Sequence, residues 1–184
     1  MYTIEGHTDY VKSLLFVPSL GVLLSGSTDA SLRVWTHIDA SKEPELLHTL
    51  KGHSRAIEDI SIDWLNSTQD RMVVFTASSD RTIRGWNISA TTAAEEGEEL
   101  IIHETSVYAI KVDQDDIWTC TSSSRSLANL GSADKTAKRY DRTDHTQETF
   151  QHPDLVKDVL VHEGFLYTAC SDENIRQWSL DVCV

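Results

Sequence analysis

Histidine, hydroxyl and carboxylate side chains recur together along this 184-residue chain. His7, Ser25 and Asp29 form one set, His53, Thr76 and Asp80 a second, and His152, Thr168 and Asp172 another. His103, Thr119 and Asp134 make a stretched version between them. In a hydrolase, an Asp-oriented His deprotonates a Ser or Thr nucleophile placed beside an oxyanion hole. Repetition argues against that chemistry, because an active site needs its constellation once. The hydroxyl also keeps one offset, four residues before the Asp, once the third set is corrected for length. His103 to Asp134 spans 31 positions and His152 to Asp172 spans 20, an excess of 11. Three of the four hydroxyls are Thr, a poor acyl-transfer nucleophile. The sets therefore read as non-catalytic, and no metal or cofactor is expected.

The elements that hold these residues repeat with them. Each His is followed four residues later by an apolar residue, Val11, Ile57, Val107 or Val156, which opens a short alternating stretch such as Val11 to Phe16. The His positions are separated by 46, 50 and 49 residues, a little more than a four-stranded repeat of roughly 40–45 needs. Each Asp is followed six residues later by an aromatic, Trp35, Trp86, Tyr140 or Trp178. That spacing predicts a tight turn at the Asp, whose carboxylate accepts local N–H groups, followed by a strand alternating inward Leu32 or Ile83 with outward Arg33 or Arg84. Upstream lie strands at Val22–Gly26, Val73–Ala77 and Leu166–Cys170, and a further strand precedes each later His, as at Leu47–Leu50. Residues 2–4 occupy the same place before His7, so they are expected to complete the last repeat, which stops after its third strand.

The Gly-His pairs, the Ser/Thr strand, the turn Asp and the Trp resemble the WD40-repeat family over nearly the whole chain. The resemblance implies an all-β fold: a WD40-type β-propeller with four blades of four antiparallel strands, at repeats 6–46, 52–98, 103–148 and 152–181. It also departs from the family pattern. Gly is missing before His103 and His152, and Tyr140 replaces the third Trp. The family account makes His7, Ser25, Asp29 and Trp35 a hydrogen-bonded strut within one blade. The same holds for His53, Thr76, Asp80 and Trp86; for His103, Thr119, Asp134 and Tyr140; and for His152, Thr168, Asp172 and Trp178. Partners are expected on the face carrying the loops before the innermost strands and the Asp turns, with Tyr10, Lys12, Glu58, Tyr108, Lys157, Ser79 and Ser171 as its candidate residues. Its cations and aromatics suit an acidic or phosphorylated peptide. Four blades are expected to make an incomplete or open propeller, either a fragment of a longer one or one completed by a partner chain or a second copy.

The function classes left are therefore an intracellular protein-interaction scaffold, a nucleic-acid or chromatin-associated propeller, and a propeller-borne enzyme. A net charge of -13 disfavours phosphate backbones and anionic membranes. No secretory leader or membrane-length apolar run is visible. Three cysteines without CxxC spacing imply neither a disulfide framework nor a zinc site, which suits the cytoplasm or nucleus. Two segments fall outside the repeat: a Ser-rich insertion at 121–131, expected to be a flexible surface loop, and an acidic loop at 90–99.

Overall fold

Stretches of β-branched and aromatic residues, broken by short turns, fold into 15 strands among the described residues. The computed structural model describes residues 3–36, 43–68, 70–89, 98–102, 105–113, 116–121, 135–143 and 145–180. The first sheet comprises β1 (Val11–Val17), β2 (Val22–Ser27), β3 (Ser31–Thr36) and β4 (Glu45–Lys51), and the second β5 (Ile57–Asp63), β6 (Arg71–Ser78), β7 (Thr82–Ser89) and β8 (Glu98–Ile102). The third comprises β9 (Val107–Asp113), β10 (Asp116–Thr121), β11 (Thr136–Asp141) and β12 (Gln147–Gln151), and the fourth β13 (Val156–His162), β14 (Phe165–Cys170) and β15 (Ile175–Ser179). All neighbouring strands are antiparallel and consecutive, so each sheet is a simple meander.

The first strand of each sheet lies against the first strand of the next, β1 on β5, β5 on β9 and β9 on β13. The core is therefore divided into three layers between four blades. Val17, Leu24, Leu32 and Val34 of the first sheet meet Ile57, Ile62, Met72 and Trp86 of the second. Phe75 and Ile83 meet Ile110 and Ile117 in the next layer, and Trp118, Ala137 and Phe150 meet Val156, Val159 and Leu166 in the last. An ion pair built on a buried carboxylate ties the second and third blades as well. Arg142 donates to Asp63 Oδ2 at 2.6 Å and crosses the Phe75 ring, while Asn66 closes the same carboxylate from its own turn.

The sheets form an open arc and do not close on each other. Three expectations change here. The fourth blade has three strands, and Thr3 and Ile4 form no strand beside it; with the arc open, the two ends do not meet and the shared blade has nothing to assemble on. Thr121 belongs to β10, where it pairs with Val107 across a bulge, so the expected insertion starts one residue later and lies outside the described residues. The acidic loop is shorter than read, because Glu98 and Glu99 already pair with β7; residues 90–97 lie outside the described set. At the open ends, Leu14 and Phe16 on β1 and Leu160 and Ile175 on the fourth sheet are exposed, at the faces a neighbouring blade covers in a closed ring.

Candidate functional site

The turn Asp, the strand hydroxyl and the Trp are brought together because β2 and β3, or β6 and β7, form a hairpin that sets the hydroxyl and the Trp on facing strands. The His enters from the loop before the first strand. In the first blade Trp35 Nε1 donates to Ser25 Oγ at 2.8 Å, Ser25 Oγ to His7 Nε2 at 2.7 Å, and His7 Nδ1 to Asp29 Oδ2 at 2.9 Å. Indole is only a donor and carboxylate only an acceptor, so the direction of the whole chain is fixed by its ends. The second blade repeats it: Trp86 to Thr76 at 2.8 Å, Thr76 to His53 at 2.7 Å, His53 to Asp80 at 2.8 Å. Both hydroxyls are buried and use their proton on the imidazole. Such a hydroxyl is oriented like a nucleophile yet has no room for a substrate.

A fifth member escaped the sequence reading. Ser31 Oγ and Thr82 Oγ1, two residues after each Asp, donate to its second carboxylate oxygen at 2.6 and 2.7 Å, and Thr8 N and Ser54 N donate to the first. Burial alone would raise the pKa of Asp29 and Asp80; the hydrogen bonds from Ser31 and His7 in one case, and from His53 and Thr82 in the other, outweigh it and hold both well below the usual carboxylate range. The signal was present in the sequence as a hydroxyl at a fixed offset after the Asp.

The fourth blade is wired differently. Thr168 still donates to His152 Nε2 at 2.8 Å and Trp178 to Thr168 at 3.2 Å, but His152 Nδ1 turns to the backbone carbonyl of Phe150 at 2.9 Å. Asp172 is held instead by a two-pronged Arg176. That guanidinium is the leading cause of its lowered pKa, whereas burial is what pushes the pKa of His152 down. Two residues explain the change. Asn174 stands where Ser31 and Thr82 supply a hydroxyl, and Gln151 stands where Gly6 and Gly52 precede the His. A Cβ at Gly6 would overlap the Arg33 guanidinium and the Trp35 ring, and one at Gly52 would sit 3.2 Å from Trp86 and 3.4 Å from Arg84. Those glycines leave room for Arg33 and Arg84, the counterparts of Arg176, beside the Trp, whereas the fourth blade carries a residue with a Cβ, Gln151, at that position.

In the third blade, His103 and Asp134 lie outside the described residues. Thr119 is buried in β10, but the Tyr140 hydroxyl contacts His145 Nδ1 at 2.9 Å. Trp118 Nε1 is enclosed without a partner.

On the face expected to bind partners, side chains are linked from blade to blade. Lys12 Nζ donates to Glu58 Oε2 at 3.1 Å, Ser79 Oγ to Glu58 Oε1 at 2.6 Å, and Ser106 Oγ to the Ser79 carbonyl at 3.1 Å. Lys12 is thus neutralised rather than offered, and Tyr108 packs half-buried against the core between the third and fourth blades. Tyr10, Lys157 and Ser171 are exposed. Arg55 and Arg81, absent from the sequence-based set, also stand exposed on this face. No helix among the described residues is long and apolar enough to cross a membrane, and no group of His, Cys, Asp and Glu among them is arranged to hold a metal ion.

Residues 1–36 and 44–87 match the family model described as "WD domain, G-beta repeat". An uncharacterized WD repeat-containing protein of Schizosaccharomyces pombe is 39% identical over 184 residues, covering 96% of this chain and 45% of the relative. Nuclear distribution protein PAC1 of Arthroderma otae is 28% identical over 188 residues, covering 98% of this chain and 38% of its own. The chain thus spans less than half the length of these relatives. Among solved structures, the computationally designed Ika4 protein superposes with a TM-score of 0.68 at 18% identity, over 97% of this chain and 96% of that one. U3-55K superposes at 0.72 and 19% identity, over 96% of this chain and 48% of its own. At these identities the structures speak for the propeller fold alone.

Proposed function

Because the chain belongs to the WD40-repeat family, we propose that it is a non-catalytic scaffold binding partner proteins or peptides on the face that carries the Asp turns. The observation that carries this reading is the fate of its reactive residues. In the first two blades every His, hydroxyl and Asp of the repeated sets is already bonded to another member. These groups serve as struts that hold three strands of a blade in register, and a satisfied polar network of this kind stiffens a small sheet. The surface they hold rigid bears Tyr10 on the first blade and Lys157 and Ser171 on the fourth, all exposed, and an exposed tyrosine is a residue type enriched at protein interfaces. An intracellular setting fits the three unpaired-by-spacing cysteines and the acidic net charge.

Paired surface variants test this. Tyr10→Ala with Lys157→Glu should abolish retention of partner proteins while leaving the unfolding midpoint of the chain unchanged. Retention equal to wild type would move the binding surface elsewhere on the propeller.

A further inference from the structure

Between the second and third blades the Asp-turn face opens into a cleft of about 530 Å³, walled by Ser54, Arg55, Arg81 and Thr105. That is room for a charged group together with the side chain carrying it. Its donors are uncommitted. Among the described residues neither guanidinium meets a carboxylate, and Thr105 Oγ1 is enclosed with no hydrogen-bond partner. The carboxylate in the wall, Asp80, is engaged with His53, Thr82 and the Ser54 backbone. Glu58, nearby, is taken by Lys12 and Ser79.

The repeats themselves show that these arginines are surplus to folding. Two residues after the His, the blades carry Asp9, Arg55, Thr105 and Asp154; one residue after the Asp, they carry Ala30, Arg81, Lys135 and Glu173. All four of the latter adopt a positive φ, 64°, 78°, 34° and 69°. The same turn therefore forms with Ala or Glu, and its geometry does not ask for Arg. Lys135 is consumed within the fold, donating to the Pro153 carbonyl at 2.7 Å. The second blade alone puts Arg at both positions, and both border one cleft. In a chain of net charge -13, two unpaired guanidiniums kept apart from the surrounding carboxylates form a local exception.

We propose that this cleft is an oxyanion site that receives the phosphate of a phosphorylated Ser or Thr in a partner peptide. A phosphate monoester offers three acceptor oxygens and nearly two negative charges to two guanidiniums and the Ser54 hydroxyl, whereas a carboxylate would leave donors unmatched. The inference rests on the scaffold reading and names what one part of its surface selects.

The test uses the full chain with inorganic phosphate and with a degenerate peptide pool fixed at a central phosphoserine, compared with pools fixed at serine and glutamate. Phosphate should move the amide resonances of Ser54, Arg81, Thr105 and Ser106, and the phosphoserine pool should bind while the serine pool does not. Arg55→Ala with Arg81→Ala should weaken the phosphoserine pool by about 30-fold or more with an unchanged unfolding midpoint, as Ala30 already occupies the matching turn position. Equal binding of the serine and phosphoserine pools, or of wild type and double variant, overturns the site. Binding of an RNA oligomer or phosphoinositide vesicles with the phosphoserine pool inert overturns the peptide assignment. Partner retention separates the two readings: partners held equally by the double variant and after phosphatase treatment leave the scaffold standing without this site, and loss of all retention on mutating Tyr10 and Lys157 leaves the phosphate titration to decide the cleft alone.

Discussion

The second and fourth blades carry the same four residue types, with the same spacing from the hydroxyl through the Asp to the Trp, yet only the second joins them into one line from Trp86 to Asp80. In the fourth, the line ends at His152, and Asp172 belongs to Arg176. The difference teaches that the repeated set is a competition. In the first, second and fourth blades the turn Asp has two suitors, the His from the preceding loop and an Arg four residues on, and the neighbours decide which wins. A Gly before the His leaves room for the Arg beside the Trp, and a hydroxyl two residues after the Asp binds its second oxygen. Where Gln151 and Asn174 stand instead, the Arg takes the carboxylate.

The largest effect should separate the blades directly. His53→Ala strands a buried hydroxyl and removes the principal partner of Asp80, which should cost about 3 kcal/mol in denaturant unfolding. His152→Ala should cost visibly less. A double-mutant cycle sharpens this: His53→Ala with Asp80→Asn should show coupling of about 1–2 kcal/mol, and His152→Ala with Asp172→Asn about zero. Equal coupling in the two cycles would break the comparison.

Trp86→Phe removes the indole donor from the buried Thr76 hydroxyl and should cost about 1–3 kcal/mol. Trp178→Phe loses a longer bond, 3.2 Å, from a less enclosed ring, and its midpoint should shift by less. A smaller effect is expected from converting one blade into the other. Gln151→Gly with Asn174→Thr should release Arg176, let Asp172 turn to His152 and stabilise the chain by about 1 kcal/mol. The new hydrogen bond is checked by the appearance of coupling between His152 and Asp172, and its absence would place the cause elsewhere.

How much of this was legible follows from the range of each interaction. The four sheets, most strand centres and the His, hydroxyl, Asp and Trp positions that join in the first two blades could be read, because they depend on fixed spacing and on the two-residue period of a strand. The wiring of the fourth blade could not. Arg33, Arg84 and Arg176 have one offset and one residue type, and what they do depends on whether the residue packed across them has a Cβ. Lys12 and Tyr108 looked like offered surface groups for a similar reason: Glu58 and the core between the last two blades are distant in sequence. The cleft with Arg55 and Arg81 also needed two blades side by side.

The smallest effect in the comparison is its dependence on acid and salt. Asp80, like Asp29, has a folded pKa below its unfolded value, so its bonds contribute stability above the usual carboxylate pKa of about 4 and lose it as the pH falls below that. Asp172 has the same sign of shift from a different source, a half-buried ion pair with Arg176 that is more open to solvent than the carboxylate of Asp80. Salt screens the more open pair and leaves enclosed hydrogen bonds nearly untouched. Between about pH 6 and pH 2, Asp80→Asn should therefore flatten part of the acid-induced fall in unfolding midpoint at both low and high salt. Asp172→Asn should flatten it at low salt alone. If high salt erased the contribution of Asp80 as well, its bonds would be electrostatic pairs like that of Asp172, and the two blades would differ in geometry but not in kind.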